Sequence, residues 1–209
     1  LFYQAEYYLQ NPTEIFMVWR GGMSFHGGFI GVIISGTIFC YKNKLSTFSV
    51  GDSIAITAPI GLFLGRVANF INGELFGRPS IMPWAIIFPN EDSKNCLLSI
   101  VEICGRHPSQ IYEAILEGLL LGLILFWGAY FKSWLKTPGF SIGIFFIGYG
   151  IARFFVEIFR QPDTYYITHN NPVGYMIQIL NFGLTTGQVL SIPMVLIGIL
   201  VIIRALKIL

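Results

Sequence analysis

The sequence predicts an all-α polytopic membrane protein, and three observations support this prediction. Hydrophobic residues fill 54% of the 209 positions and charged residues only 11%, whereas a soluble domain carries about 25% charged residues. The net charge of +2 is too small for a surface that follows nucleic-acid phosphates, so we expect no nucleic-acid partner. Several stretches are also long and apolar enough to cross a bilayer.

Five windows have the length of a membrane span. A helix needs about 20 mainly apolar residues to cross the ~30 Å hydrocarbon core. The windows that meet this requirement are 23–41, 52–72, 110–131, 139–159 and 187–206. We therefore expect about five transmembrane helices in one membrane-embedded domain that covers the whole chain, 1–209.

Lysine and arginine in the short connections predict the orientation, because they concentrate on the cytoplasmic side. They lie after the first and third windows and at the end of the fifth, as Lys42, Lys44, Lys132, Lys136, Arg204 and Lys207. The N-terminus is then outside and the C-terminus inside. Two longer polar segments, 73–109 and 160–186, form an outer-side cap of loops, with an interfacial helix expected over 175–184.

The opening residues and the cysteines add three expectations. The chain begins without a signal-sequence pattern and without an initiator Met, as a fragment with upstream spans would. Cys96 and Cys104 lie eight positions apart in the first outer segment, where a disulfide and two free thiols both remain open. No spacing is typical of a metal site, so we expect no metal and no cofactor.

Polar side chains in the windows gather at the outer ends of the spans. An ionisable group in a span costs roughly 2.5–3.5 kcal/mol on insertion scales, so each one needs a reason. Spans that run in opposite directions deliver theirs to the same leaflet: His26 from the first; Arg66, Asn69, Asn72 and Glu74 from the second; His107, Gln110, Glu113 and Glu117 from the third; Arg153, Glu157 and Arg160 from the fourth. We predict that they face one shared cavity.

Helical spacing supports a single polar stripe on each span. Residues three, four, seven or eight positions apart lie on one helix face. The stripes are Arg66, Asn69 and Gly73; Gln110, Glu113 and Glu117; and Tyr149, Arg153 and Glu157.

Structural explanations stay open for most of these acids and bases. Arg153 and Glu157 could form only an intrahelical ion pair, and Glu113 and Glu117 could be solvated acids at a helix start, where the dipole favours them. Arg66 differs, because no acid stands three or four positions away to pair with it. For Arg66 we favour a functional role.

The two histidines also have structural alternatives. His107 precedes Pro108 and could mark a loop-to-helix junction. His26 is flanked by two glycines at a membrane boundary and could be interfacial.

Two arginines near the outer leaflet, with Asn and Gln donors beside them, suit an anionic headgroup. Guanidinium groups bind phosphate bidentately and stay charged in a site of low dielectric constant. At that depth a bilayer supplies phosphate as phospholipid, so the sequence predicts a site that binds a lipid laterally.

Five sequence blocks resemble the bacterial prolipoprotein diacylglyceryl transferase family. GRVANFINGELFG (65–77) resembles the family signature, and four other blocks follow the family's order: MSFHGG (23–28), RHPSQIYEAILEG (106–118), GYGIARFFVEIFRQPD (148–163) and LTTGQVLSIPM (184–194). The match runs through nearly all 209 residues. It implies two further N-terminal spans, seven in the full-length protein.

The resemblance implies transfer of the diacylglyceryl group of phosphatidylglycerol to the lipobox cysteine of a prolipoprotein signal peptide, with release of glycerol 1-phosphate. It places the enzyme among membrane lipids in the bacterial inner (cytoplasmic) membrane, with the site toward the periplasmic leaflet. The catalytic candidates are His26, Arg66, Arg153 and Glu157. The substrate-binding candidates are Arg66, Asn69, Asn72, Glu74, Gly77, His107, Gln110 and Glu113.

The chemistry of this transfer suits those residue types. A thiol of reference pKa ~8.5 needs a base or a positive field at neutral pH, and His26 is the best candidate base by type. Arg66 and Arg153 can stabilise the charge that develops on the leaving phosphate, with Glu157 orienting Arg153.

A transporter or flippase of an anionic lipid is the alternative that uses the same cavity. Transporters commonly show internal repeats and ionisable groups near the bilayer midplane. Here the polar residues occupy only the outer half, and no repeat is apparent. A metal-dependent lipid phosphotransferase would need clustered aspartates, and a structural scaffold would leave Arg66 without a partner.

Overall fold

Five helices account for nearly all of the regular structure in the computed structural model, which describes residues 25–89, 105–161, 167, 171, 173–179 and 182–207. They are α1 (Phe25–Lys42), α2 (Thr47–Asn72), α3 (Ser109–Phe131), α4 (Phe140–Val156) and α5 (Thr186–Lys207). Each matches one predicted window to within a few residues. The chain is therefore an all-α polytopic membrane protein, as the sequence predicted.

By length and composition, α2, α3 and α5 can each cross a membrane, while α4 and the Gly31–Lys42 part of α1 are shorter apolar helices. Large apolar side chains lie exposed along them, for example Leu64 at 60% and Leu200 at 65%. Such exposure suits contact with lipid.

The chain divides into two compact units, Leu1–Val50 and Gly51–Leu209. The first contains α1, and the second contains α3, α4, α5 and most of α2. Every site residue described below except His26 belongs to the second unit.

Glycines set the close packing of α3 against α2. A Cβ on Gly118 would lie 2.7 Å from the Phe63 Cα, and one on Gly122 would lie 3.1 Å from the Pro59 Cβ. Because position rises along α3 as it falls along α2, the two helices are antiparallel. The middle of α3, Ala114–Leu120, is a π-helix, a form that is frequent at functional sites.

Helices α4 and α5 pack in the same way. A Cβ on Gly150 would lie 3.2 Å from the Ser191 carbonyl oxygen, and one on Gly198 would lie 2.8 Å from that of Gly143. These contacts also define an antiparallel pair. Gly148 on α4 lies against the Leu121 side chain on α3, so the two helix pairs also contact each other.

Backbone bridges connect the segments that follow α2, precede α3 and follow α4. Gly77 pairs with Arg160, and Arg106 pairs with both Pro79 and Ile86. The Arg106 side chain closes this junction, because its Nη1 donates to the Gly77 carbonyl at 3.2 Å and to Gln161 Oε1 at 3.0 Å. Arg106 is 1% exposed, and burial lowers the pKa of its guanidinium.

The prediction of an interfacial helix over 175–184 is wrong. Two short strands, β1 (Ile177–Ile179) and β2 (Phe182–Leu184), form an antiparallel pair there, with Ile177 opposite Leu184. β-Branched residues at alternate positions and a glycine within the segment favour strand over helix. Cys96 and Cys104 lie outside the described residues, so their pairing stays open.

Candidate functional site

Glu113 on α3 is the centre of a buried charge cluster. Its Oε2 lies 2.6 Å from Arg66 Nε on α2, and its Oε1 lies 2.9 Å from Arg153 Nη1 on α4. Oε1 also lies 3.3 Å from Arg160 Nε, just beyond α4. One carboxylate therefore gathers arginines from two different helices and from the segment after one of them.

Glu157 contacts two of the same arginines from the end of α4. Its Oε2 lies 3.4 Å from Arg153 Nη2 and 3.8 Å from Arg160 Nη1. The α5 backbone packs against this carboxylate at Gly187, where any Cβ would overlap it. Glu157 is thus held between two arginines and the first turn of α5.

Glu117, one turn further along α3, lies more loosely in the cluster. Each of its oxygens is 3.9 Å from a guanidinium nitrogen, one of Arg66 and one of Arg153. Neither oxygen has a hydrogen-bond partner among the residues that the structure describes. Its side chain is 0% exposed. The two acids on α3 therefore have different environments, although they lie on one face.

These six side chains, which we call the arginine–glutamate cluster, are Arg66, Glu113, Glu117, Arg153, Glu157 and Arg160. The arginine side chains are each 17% exposed, whereas the glutamates are 0–8% exposed. The glutamates therefore lie on the protein side of the cluster and the arginines on its accessible side. Because a guanidinium has five N–H donors, arginines held in this way can still meet an anion.

This geometry decides three questions that the sequence left open. Arg66 does have partners, but they lie on α3 rather than on its own helix. Glu113 and Glu117 are buried, so the solvated helix-start explanation is wrong. Arg153 and Glu157 do form an ion pair, yet Arg153 lies closer to Glu113.

Several predicted substrate-binding residues flank the cluster. Gln110 is buried, and its Nε2 donates to the Glu74 carbonyl at 2.6 Å. Asn69 Nδ2 lies 3.5 Å from Glu74 Oε2, at the limit of a hydrogen bond. Gly77 donates its N–H to the His107 carbonyl at 2.8 Å, and a Cβ there would collide with that oxygen.

Other predicted residues lie elsewhere. Asn72 and the Glu74 side chain are exposed. His107 lies at the loop-to-helix junction, with its Nδ1 3.2 Å from the Tyr112 hydroxyl and its ring against that of Phe159. His26 lies in the first turn of α1, in the other compact unit, and its side chain is outside the described part of the chain.

Three members of this neighbourhood were not assigned a role from sequence. Glu117 and Arg160 were predicted to face the shared cavity but were given no catalytic or binding role, although they stand four and three positions from residues that were. Arg106 gave no such signal, because a single arginine in a loop normally points to solvent.

Apolar helices with lipid-type surfaces and a buried arginine–glutamate cluster at one end define a polytopic membrane protein with a buried charged site. The sequence profile described as "Prolipoprotein diacylglyceryl transferase" matches residues 1–204. The chain belongs to this family.

Curated relatives agree with the family assignment. A phosphatidylglycerol–prolipoprotein diacylglyceryl transferase of Roseobacter denitrificans is 54% identical over 204 residues, which are 98% of this chain and 69% of the relative. The protein of the same name from Ruegeria pomeroyi is 52% identical, over 98% of this chain and 69% of its own length. The one from Rhodospirillum rubrum is 48% identical, with 98% and 68% covered.

Proposed function

We propose that this protein transfers the diacylglyceryl group of phosphatidylglycerol to the thiol of a prolipoprotein cysteine and releases glycerol 1-phosphate. The observation that carries the proposal is the convergence of Arg66, Arg153 and Arg160 on the Glu113 carboxylate. The names of the curated relatives supply the two substrates. The proposal extends to a multi-pass position in the bacterial inner membrane, with the cluster toward the outer leaflet.

The arginines are the groups that meet the lipid phosphate. A phosphodiester carries one negative charge, and its leaving group gains a second as the glyceryl carbon–oxygen bond breaks. Guanidinium groups stabilise that second charge more strongly than the first, which lowers the barrier rather than only tightening binding. Arg66 and Arg153 are the catalytic residues in this scheme, and Arg160 supports them.

The glutamates act through the arginines. Glu113 and Glu157 fix the orientation of the guanidinium planes, so that no reorganisation is needed as charge develops. Gln110, Asn69 and the Gly77 loop shape the adjoining wall, and Asn72, Glu74 and His107 stay candidates for headgroup or peptide contact. A direct contact between Glu113 and the phosphate is less favourable, because both are anionic.

The thiol step accounts for the new bond to sulfur and for the proton that is released. Sulfur forms a bond to the glyceryl carbon as the carbon–oxygen bond to phosphate breaks, and the thiol proton passes to a base and then to solvent or product. His26 remains our candidate for this base because of its residue type.

The test is release of labelled glycerol phosphate from phosphatidylglycerol by the purified protein in detergent, with and without a peptide that carries the lipobox cysteine. We expect release only with that peptide and none with its Cys→Ser form. Release without any thiol acceptor would mean hydrolysis and would contradict transfer to the thiol. Lipid movement across liposomes without release would favour the flippase alternative.

Arg66→Lys tests the role of the guanidinium. We expect a fall in kcat of about 100-fold or more, because an ammonium group cannot pair with Glu113 and also face the phosphate. The matched control is Arg204→Lys, the same change in the last turn of α5, for which we expect a normal rate. A near-normal rate in Arg66→Lys would contradict the role.

A further inference from the structure

A single buried carboxylate joins α2 to α4 at the end of the unit opposite the arginine–glutamate cluster. Asp52 on α2 is 0% exposed. Its Oδ2 accepts the Gly139 N–H at 2.7 Å, and its Oδ1 accepts the Ile142 N–H at 2.8 Å. Neither residue lies near Asp52 in sequence, so this is a cap that one helix provides for another.

Helix α4 needs this cap because its own sequence provides none. The first amides of a helix have no partner within the helix, and in a membrane water does not replace one. The N-cap position of α4 is Gly139, which has no side chain and adopts φ 102°. Asp52 therefore satisfies a donor that would otherwise be buried without a partner.

The same two helices meet again at the cluster, with the same offset in sequence. Asp52 and Gly139 are 87 positions apart, and so are Arg66 and Arg153. Arg66 therefore lies as far along the chain from Asp52 as Arg153 lies from Gly139. The separation corresponds to a rise of about 21 Å along a helix. The two guanidinium groups then meet on the two oxygens of Glu113, at 2.6 and 2.9 Å.

From this geometry we infer that Asp52 fixes the register of α4 against α2, and so holds Arg153 level with Arg66 at the distant phosphate site. Asp52 is a positioning residue and touches no substrate. The close approach of Gly51, whose Cβ would lie 3.0 Å from Ile142 Cδ1, supports the contact at this end. A slip of one residue would move Arg153 by about 1.5 Å and rotate it by about 100°.

The kinetic consequence rests on the proposed function. Because a misplacement of about 1 Å in a catalytic group can cost 100-fold in rate, loss of the cap should act mainly on kcat. In Asp52→Ala both hydrogen bonds are lost, and we expect kcat to fall about 10- to 100-fold while the KM for phosphatidylglycerol changes less than threefold. Asp52→Asn keeps one acceptor oxygen, so its kcat should lie between those of Asp52→Ala and the unchanged protein.

A double substitution separates positioning from general destabilisation. If Asp52 acts through the arginine pair, Asp52→Ala should lower kcat little further once Arg153→Lys is present. The matched control is Thr57→Val on α2, because the Thr57 hydroxyl bonds only within its own helix among the described residues. We expect normal kcat in this control.

A distance measurement tests the register without any assay of activity. Spin labels at Leu64 and Ile151, which are exposed and also 87 positions apart, report the register of α2 and α4 once the three native cysteines have been replaced. We expect the distance distribution to shift or broaden in Asp52→Ala and to stay unchanged in Thr57→Val. If Asp52→Ala fails to fold, the same comparison is made with Asp52→Asn.

The outcomes distinguish this inference from the proposed function. An unchanged distance distribution in the Asp52 variants would overturn the inference, whether or not activity falls, and so would independent losses in the double variant. If the distance distribution changes in the Asp52 variants but the unchanged protein has no transferase activity, the proposed function is refuted and the register role is still supported. A changed distance distribution would support both if Asp52→Ala also lowers kcat in the unchanged background but lowers it little further when Arg153→Lys is present.

Discussion

The two ends of the unit Gly51–Leu209 use buried carboxylates for different purposes. At one end Asp52 binds backbone N–H groups of α4 through both oxygens, at 2.7 and 2.8 Å. At the other end Glu113 binds guanidinium groups that carry further donors and are partly exposed. Both oxygens of the first carboxylate accept hydrogen bonds from the backbone. The second holds cations that keep unused N–H donors.

This contrast shows how to interpret a buried charge in a membrane protein. Burial of an ionised group is expensive in either place, so both carboxylates need partners. A carboxylate that satisfies helix amides stabilises a helix and nothing more needs to bind. A carboxylate that orients partly exposed arginines supports an anion site, because the cations keep unused hydrogen-bonding capacity.

The largest expected effect distinguishes the two acids of α3. Glu113→Gln removes the charge that gathers three arginines, so we expect kcat to fall about 100-fold and stability to fall by about 3 kcal/mol. Glu117→Gln removes a carboxylate whose oxygens have no hydrogen bond among the described residues, so we expect less than about a threefold change in kcat and a stability within about 1 kcal/mol of the original. Transfer rates and thermal unfolding in detergent measure both.

The pair of variants is its own control, because both changes are isosteric and lie one turn apart. Equal losses in the two variants would mean that the cluster responds to its total charge. The distinction between Glu113 as the centre and Glu117 as a looser member would then be lost.

Much of the fold and part of this site follow from the sequence. Apolar length predicted the five described helices, and the alternating direction of the spans predicted that Arg66, Glu113 and Arg153 lie close together. What the spacing could not give was the partner of each arginine, because ion pairs between helices depend on packing that glycines such as Gly118 set. The absence of an acid near Arg66 in sequence therefore did not mean an unpaired arginine.

Two features of the loops were also not predicted by local sequence patterns. The 175–184 segment is apolar enough for an interfacial helix, yet its β-branched residues and Gly183 form a strand pair. Arg106 is buried because three separate segments converge on it. The Arg106 side chain contacts residues 29 and 55 positions away, and no local pattern in the sequence predicts such contacts.

An intermediate effect is expected where α5 packs on Glu157. Gly187→Ala places a methyl group against the Glu157 carboxylate, which should displace it from Arg153 and Arg160. We expect kcat to fall about tenfold, because orientation of the arginines is disturbed while their charges remain. Gly61→Ala on α2 is the control, since nothing lies within 4 Å of a Cβ there. Equal activity of the two variants would contradict an orienting role for Glu157.

The smallest expected effect concerns His107, at the junction between the preceding loop and α3. Burial lowers the pKa of His107 below its usual value of 6.5, and the Tyr112 hydroxyl, which also accepts the Trp84 Nε1–H at 2.7 Å, lies against its Nδ1. Below about pH 6.5 the unfolded chain therefore binds a proton that the folded protein excludes, so folding is less favourable there than at pH 8. Replacement by a side chain that does not titrate removes this difference.

The unfolding temperatures of His107→Gln and the unchanged protein are measured at pH 8 and at pH 5. We expect the difference, variant minus unchanged protein, to be larger at pH 5 than at pH 8, by less than about 2 °C. Comparison of the two proteins at each pH cancels the contributions of the glutamates, which titrate in both. Should the relative unfolding temperature fall toward pH 5 instead, the folded protein would be binding the proton more tightly than the unfolded chain. His107 would then be protonated in the folded protein at pH 5, in contact with Tyr112 and Phe159.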